Sequence, residues 1–166
     1  MANKIQNFDT GEKDNSNIIH LDLDPKINIE NKIYFKNLLK KIAECSLDNL
    51  EENLENLYHV DAEFNGFHPI NEIKGIEEIK NKYLIPLKKA FPDLERRNNL
   101  VIGGAFRDKV FVSFISHLTG TFKNEWLGVK PTNKTIYLRT CEAHQITNNK
   151  IIKSYTLIDT VDFIRQ

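Results

Sequence analysis

The hydrophobic repeat changes near Leu94: before it apolar residues recur every three or four positions, and after it they alternate. A repeat near 3.6 lays an apolar stripe along a helix, whereas a repeat of two gives a strand with one buried face. A chain ordered this way sets helices first and an antiparallel meander second. That dictates an α+β architecture, with helices packed on one face of a bent sheet. Its 166 residues suffice for one domain with a proper core and are too few for two ordinary ones.

In the helical half, Ile33, Leu38, Leu39 and Ile42 predict a first helix from Asn31. Leu47, Leu50, Leu54 and Leu57 predict a second, capped by Ser46 or Asp48. A short strand from Tyr58 to Gly66 follows. Ile76, Ile79, Tyr83 and Leu87 predict a third helix from Gly75 to Ala90, kinked or shortened by Pro86. In the second half, strands are expected over Leu94–Ile102, Val110–Thr121, Thr135–Thr147 and Ile151–Asp159. Gly103-Gly104 with Arg107-Asp108 reads as a hairpin connection, and Asn148-Asn149-Lys150 as a turn. The polar segment 1–30, with one apolar patch at Ile18-Ile19-His20-Leu21, reads as a mobile arm ahead of a domain spanning 31–166.

Composition narrows the function classes. Lys plus Arg equals Asp plus Glu, so the formal net charge is zero. Neutralising nucleic-acid phosphates takes a basic excess, so nucleic acid is not an expected partner. No stretch approaches the ~20 apolar residues of a membrane span, and the first residues show no signal-peptide pattern. A soluble, cytoplasmic protein is the expectation. The two cysteines, Cys45 and Cys141, read as buried or half-buried thiols rather than a disulfide framework. The five histidines have no metal-ligand spacing, so no metal is expected, and neither a Gly-x-Ser-x-Gly elbow, a P-loop nor a dinucleotide fingerprint is present.

Four segments carry a family resemblance. The strand and His-Pro turn from Tyr58 to Ile70, Ala90-Phe91-Pro92-Asp93-Leu94, and Thr119-Gly120-Thr121-Phe122 with Trp126-Leu127-Gly128-Val129-Lys130-Pro131-Thr132-Asn133-Lys134 come in order. The hairpin Ile146–Ile151 with Asp159 on its closing strand completes the set. Together they resemble the SnoaL-like polyketide cyclases of the NTF2-like superfamily, over about residues 33–166. The resemblance implies a cone: three N-terminal helices on a strongly curved mixed or antiparallel sheet that encloses a pocket. It implies cofactor-free acid/base chemistry on a small, mostly apolar or amphipathic carbonyl compound, by isomerisation, aldol-type cyclisation or hydrolysis. It equally admits a non-catalytic ligand-binding or assembly module, and it implies a homodimer.

Asp159 matches the family's acid/base position; the alternative reading is a cap on a C-terminal turn at Thr160-Val161-Asp162. On the preceding strand, Thr140 and Glu142 stand where the characterised cyclases carry Gln and His, and His144 lies two further on. Alternation puts Thr140, Glu142 and His144 on one face, and Tyr155, Leu157 and Asp159 on one face of the next strand. If those faces coincide, Glu142, His144, Tyr155 and Asp159 line one cavity. His144 or Asp159 is then the base, with Tyr155 or a protonated Glu142 as donor. The same groups also make sense as a structural hydrogen-bond network. Further pocket candidates are His117 in mid-strand, Trp126 in the long loop and His68 at the end of the first strand. Arg139 is expected to form a structural salt bridge.

Overall fold

The computed structural model describes residues 23–166. Most of the proposed arm, with its Ile18–Leu21 patch, lies outside the described residues. Pro25–Glu30, expected as arm, instead form the start of α1 (Pro25–Glu44). Asp24 caps this helix by accepting from Lys26 N, with Pro25 in the first turn where its missing N–H costs nothing. The buried stripe of α1 is Phe35, Leu39, Ile42 and Ala43; Ile33 points to solvent. A short 3₁₀ turn, Leu47–Asn49, leads into α2 (Leu50–Leu57). Ser46 occupies the cap position of that turn without a capping hydrogen bond. Leu47 is exposed, while Leu50, Leu54 and Leu57 are buried.

Strands β1 (Tyr58–Asn65) and β2 (Glu72–Lys74) form a hairpin. The third helical segment runs through α3 (Ile76–Glu78), a π-helical stretch Ile79–Leu84, and α4 (Ile85–Ala90). The π stretch is how Pro86 is accommodated. Ile85 N–H reaches back five residues to Lys80 O, which widens the turn that the proline ring would otherwise crowd.

Four long strands follow: β3 (Glu95–Phe106), β4 (Lys109–Thr121), β5 (Thr135–Thr147) and β6 (Lys150–Ile158). The six-stranded sheet has the order β2-β1-β6-β5-β4-β3, antiparallel except that β1 lies parallel to β6. A last helix, α5 (Thr160–Arg165), closes the chain. Gly103 and Gly104 are not the β3–β4 turn, which is made by Arg107 (φ 55°) and Asp108. Gly103 is needed inside β3 because α1 crosses it there. A Cβ at Gly103 would stand 2.1 Å from Asn28 Oδ1, and Asn28 Nδ2 donates to Gly103 O at 3.0 Å.

Two one-residue bulges decide which side chains face the helices. In β3 the extra residue is Asn99, so Arg96 and Asn98 face inward before it while Leu100 and Ile102 face outward after it. In β6 it is Ile152: Ile146 pairs with Ile151, but Gln145 pairs with Lys153. Antiparallel partners share a face, so Glu142 is matched with Thr156 and His144 with Ser154. An uninterrupted register would have put Tyr155 opposite Glu142. The bulge moves the whole strand to the other face from Lys153 onward.

The concave face packs on the helices through Phe64, Val112, Phe114, Leu118, Ile136, Leu138 and Ile158. A satellite of Phe67, Phe91, Phe122, Trp126 and Phe163 locks the loop after β4 and α5 to the sheet end, with ring centroids 5.2–6.2 Å apart. The convex face carries a row of exposed apolar groups across four strands, Leu100, Ile115, Cys141 and Leu157, each paired with the next. Cys141, expected to be buried or half-buried, is therefore exposed, and Cys45 is half-buried as expected.

Candidate active site

The strongest concentration of buried polar chemistry lies on the concave face, where β3, β4, β5 and β6 run side by side. Alternation brings Thr140, Glu142 and His144 inward from β5, as the sequence predicts, and all three are buried. Arg96 enters from β3. Its Nη1 donates to Glu142 Oε1 at 2.8 Å, its Nε to Asn98 Oδ1 at 2.9 Å and its Nη2 to Ser116 Oγ at 3.1 Å. The guanidinium also sits 5.4 Å from the centre of the Phe114 ring.

Glu142 is saturated along one edge. Oε1 accepts from both Arg96 and Thr140 Oγ1, the latter at 2.8 Å, while Oε2 lies 3.2 Å from His144 Nε2. Burial by itself raises the Glu142 pKa. The adjacent Arg96 charge and the hydrogen bonds from His144 and Arg96 outweigh it, holding the carboxyl well below the usual range. It is therefore an anion paired with a cation, not the protonated donor that the sequence leaves open.

The anion fixes the imidazole. A carboxylate only accepts, so Nε2–H of a neutral ring donates to Glu142, which leaves Nδ1 to accept from Ser154 Oγ at 2.9 Å. Ser154 Oγ in turn lies 3.5 Å from Tyr58 Oη. Burial pushes the Tyr58 phenol up to about 12, so it keeps its proton across the physiological range. The result is a chain of contacts, Tyr58–Ser154–His144–Glu142–Arg96, with a nitrogen base at its centre.

Beside this chain is an interior cavity of about 40 Å³. Tyr58, Tyr83, Lys88, Arg96, Glu142 and Thr156 supply its polar wall, and leucines with Ile42 and Ala43 supply the rest. Ordinary ligand pockets hold about 300–1,000 Å³, so the space as folded takes only a very small guest. Lys88 has a structural duty at its edge: Nζ donates to Ala43 O at 2.9 Å and Cys45 O at 2.6 Å, capping the end of α1. Burial lowers its pKa.

The remaining expected site residues are elsewhere. Tyr155 and Asp159 follow the Ile152 bulge and face the convex side, away from Glu142 and His144. Asp159 caps α5 by accepting from Asp162 N at 2.9 Å, and pairs with Arg139 at 2.9 Å. This is the capping alternative, and it supplies the salt bridge expected of Arg139. His117 also faces outward, its Nδ1 2.7 Å from Asn99 Oδ1. Trp126 is 3% exposed within the aromatic satellite rather than forming a lid. His68 is exposed in the turn before Pro69.

Sequence reasoning missed Arg96, Tyr58, Ser154 and Lys88. Only Arg96 had a readable signal: Leu94, Arg96 and Asn98 alternate, so an inward Leu94 carries Arg96 inward with it.

The model of the SnoaL-like polyketide cyclase family matches residues 36–166. The chain belongs to that family. Solved structures agree on the fold. AclR of Streptomyces galilaeus, described as a candidate hydroxylase, superposes with a TM-score of 0.66 at 19% identity, covering 83% of this chain and 95% of its own. A SnoaL-like polyketide cyclase from Agrobacterium tumefaciens gives 0.60 at 15%, covering 83% and 95%. An NTF2-like superfamily protein from Salmonella enterica gives 0.61 at 14%, covering 79% and 89%. No match was found among curated proteins. Like these SnoaL-like and NTF2-like chains, this one is an α+β cone of helices on a curved mixed sheet. No helix among the described residues is long and apolar enough to cross a membrane.

Proposed function

We propose that this SnoaL-like protein is an enzyme that moves a proton on a small, mostly apolar carbonyl compound, with His144 as the proton-transfer group. The observation that carries this reading is the imidazole held between a carboxylate and a hydroxyl, in a chain whose Glu142 and Tyr58 line an apolar cavity. Glu142, held anionic by Arg96, orients the ring and stabilises the imidazolium formed when Nδ1 takes a proton. Ser154 and Tyr58 connect that nitrogen with the cavity. The protonated Tyr58 phenol is placed to donate to a substrate carbonyl whose oxygen gains charge as the α-proton leaves. Asp159 has no part in this scheme.

The chemistry is readable without the natural substrate. In deuterium oxide, exchange of the α-protons of small 1,3-diketones, followed by NMR, is expected to be accelerated by the protein. His144→Gln should lower that acceleration by about 10²–10⁴-fold, the usual contribution of a positioned base. No acceleration by the wild type, or equal rates in the variant, would sink the reading.

The size of the cavity favours a second reading, a module that holds a ligand or partner without turnover. Under it, diketones or larger apolar molecules bind and no exchange occurs. In either case we propose a homodimer formed through the convex apolar row, which light scattering tests directly.

A further inference from the structure

A site enclosed this tightly needs a way in, and one residue borders both the interior and the surface. Tyr58 lines the 40 Å³ cavity and also a surface groove of about 290 Å³, whose other walls are Glu55, His59, Val60, Ile76 and Lys150. Tyr58 itself is 5% exposed, so its side chain divides the two spaces. On its inner side its hydroxyl meets Ser154, which contacts His144.

The backbone around this partition is loosely tied. Tyr58 pairs with Ile151, but the next matched pair is Glu63 with Lys153. Four residues of β1 thus stand against a single residue of β6, and that residue, Ile152, is the bulge of the β5–β6 ladder. The sheet is split just where the groove lies. The tie on the Tyr58 hydroxyl is a single 3.5 Å contact. Tyr58 is also the capping residue of α2, where its N–H donates to Leu54 O, so the ring turns about its own side-chain torsions while the backbone stays in place.

We propose that the groove is the vestibule of the interior site and that Tyr58 is its door. With the ring turned aside, cavity and groove become one space within the range of ordinary ligand pockets. It is elongated, with Glu142 and Arg96 at its inner end and Val60 and Ile76 along its outer part. This inference rests on the interior site being the functional one, but its test reads access rather than catalysis.

Diethylpyrocarbonate is the probe. The neutral imidazole nitrogen attacks one of its carbonyls, gives N-ethoxycarbonyl-histidine, and releases ethanol and carbon dioxide. Rates at each histidine are followed by peptide mass spectrometry. In the wild type, His59 in the groove should react promptly and His144 far more slowly. Tyr58→Ala should raise the His144 rate at least tenfold, with the His59 rate little changed. Tyr58→Leu provides the same opening should the alanine variant fold poorly, and near-ultraviolet circular dichroism confirms the fold. Leu84→Ala is the control: it enlarges the same cavity from a wall that does not border the groove, so it should not accelerate His144. Equal acceleration by Leu84→Ala and the Tyr58 variants would overturn the door, as would a wild-type His144 that reacts as fast as His59. Either result leaves the diketone exchange experiment to judge the proton-transfer reading separately.

Discussion

Arg96 and Glu142 stand 46 residues apart and meet at 2.8 Å with their side chains only 5% and 6% exposed. The pair joins one edge strand of the long meander, β3, to β5 across the intervening β4. Taking both charges out of water is costly, and the surrounding hydrogen bonds from Thr140, His144 and to Ser116 and Asn98 offset that cost. Arg96→Met leaves Glu142 as a buried, unpaired anion, and unfolding in urea should show a loss of about 3–5 kcal/mol. Adding Glu142→Gln should recover much of it. A single variant as stable as the wild type would show that the pair is not what holds this part of the interior.

Acid should act on the same carboxylate. Its pKa in the folded chain is depressed below the unfolded value, so the unfolded state binds more protons as pH falls. The stability it contributes is present above about pH 4.3, its unfolded pKa, and is lost on further acidification toward the depressed folded value. Such a group adds a slope of at most about 1.4 kcal/mol per pH unit. Glu142→Gln should flatten the dependence of urea midpoints between pH 5 and 3 relative to wild type. Superimposable slopes would mean that Glu142 does not titrate in that way.

Asp159 provides the contrasting case. Asp159→Ala removes the cap of α5 and the exposed pairing with Arg139, so a loss of about 1 kcal/mol is expected, nearly all of it from the cap. Asp159→Asn should cost less, because asparagine also caps well. Neither should alter diketone exchange by more than about twofold. A loss of exchange comparable with that of His144→Gln would return Asp159 to the chemistry.

Deleting Ile152 tests the bulge. Without it Ile151 runs straight into Lys153, the pairs of Gln145 with Lys153, His144 with Ser154 and Glu142 with Thr156 are kept, and Ser154, Thr156 and Ile158 still face the helices. A cooperative thermal transition should therefore be retained. Its loss would show that the extra residue is needed where β6 meets the irregular stretch of β1.

That bulge also marks where the sequence stops being legible. Alternation along one strand was readable, so Thr140, Glu142 and His144 were correctly grouped. The step to the neighbouring strand assumed an unbroken register, and Ile151-Ile152-Lys153 contains no glycine or proline to announce the break. Tyr155 and Asp159 were misplaced for that one reason. Gly103-Gly104 misled differently: Gly103 answers to Asn28 of α1, 75 residues away in sequence, while the turn belongs to Arg107 and Asp108. Pro86 was recognised as a disturbance, but a sequence does not say that a π turn will absorb it. The order of elements and the cone followed from period and motif together.

The placement of Trp126 has an optical consequence. It is the sole tryptophan of the chain, and its indole is wedged among Phe67, Phe91 and Phe163. Fluorescence emission from the protein is therefore a local signal from the seam that α5 makes with the loop after β4. It will follow the undocking of the C-terminal helix while staying silent about events at Tyr58 and His144.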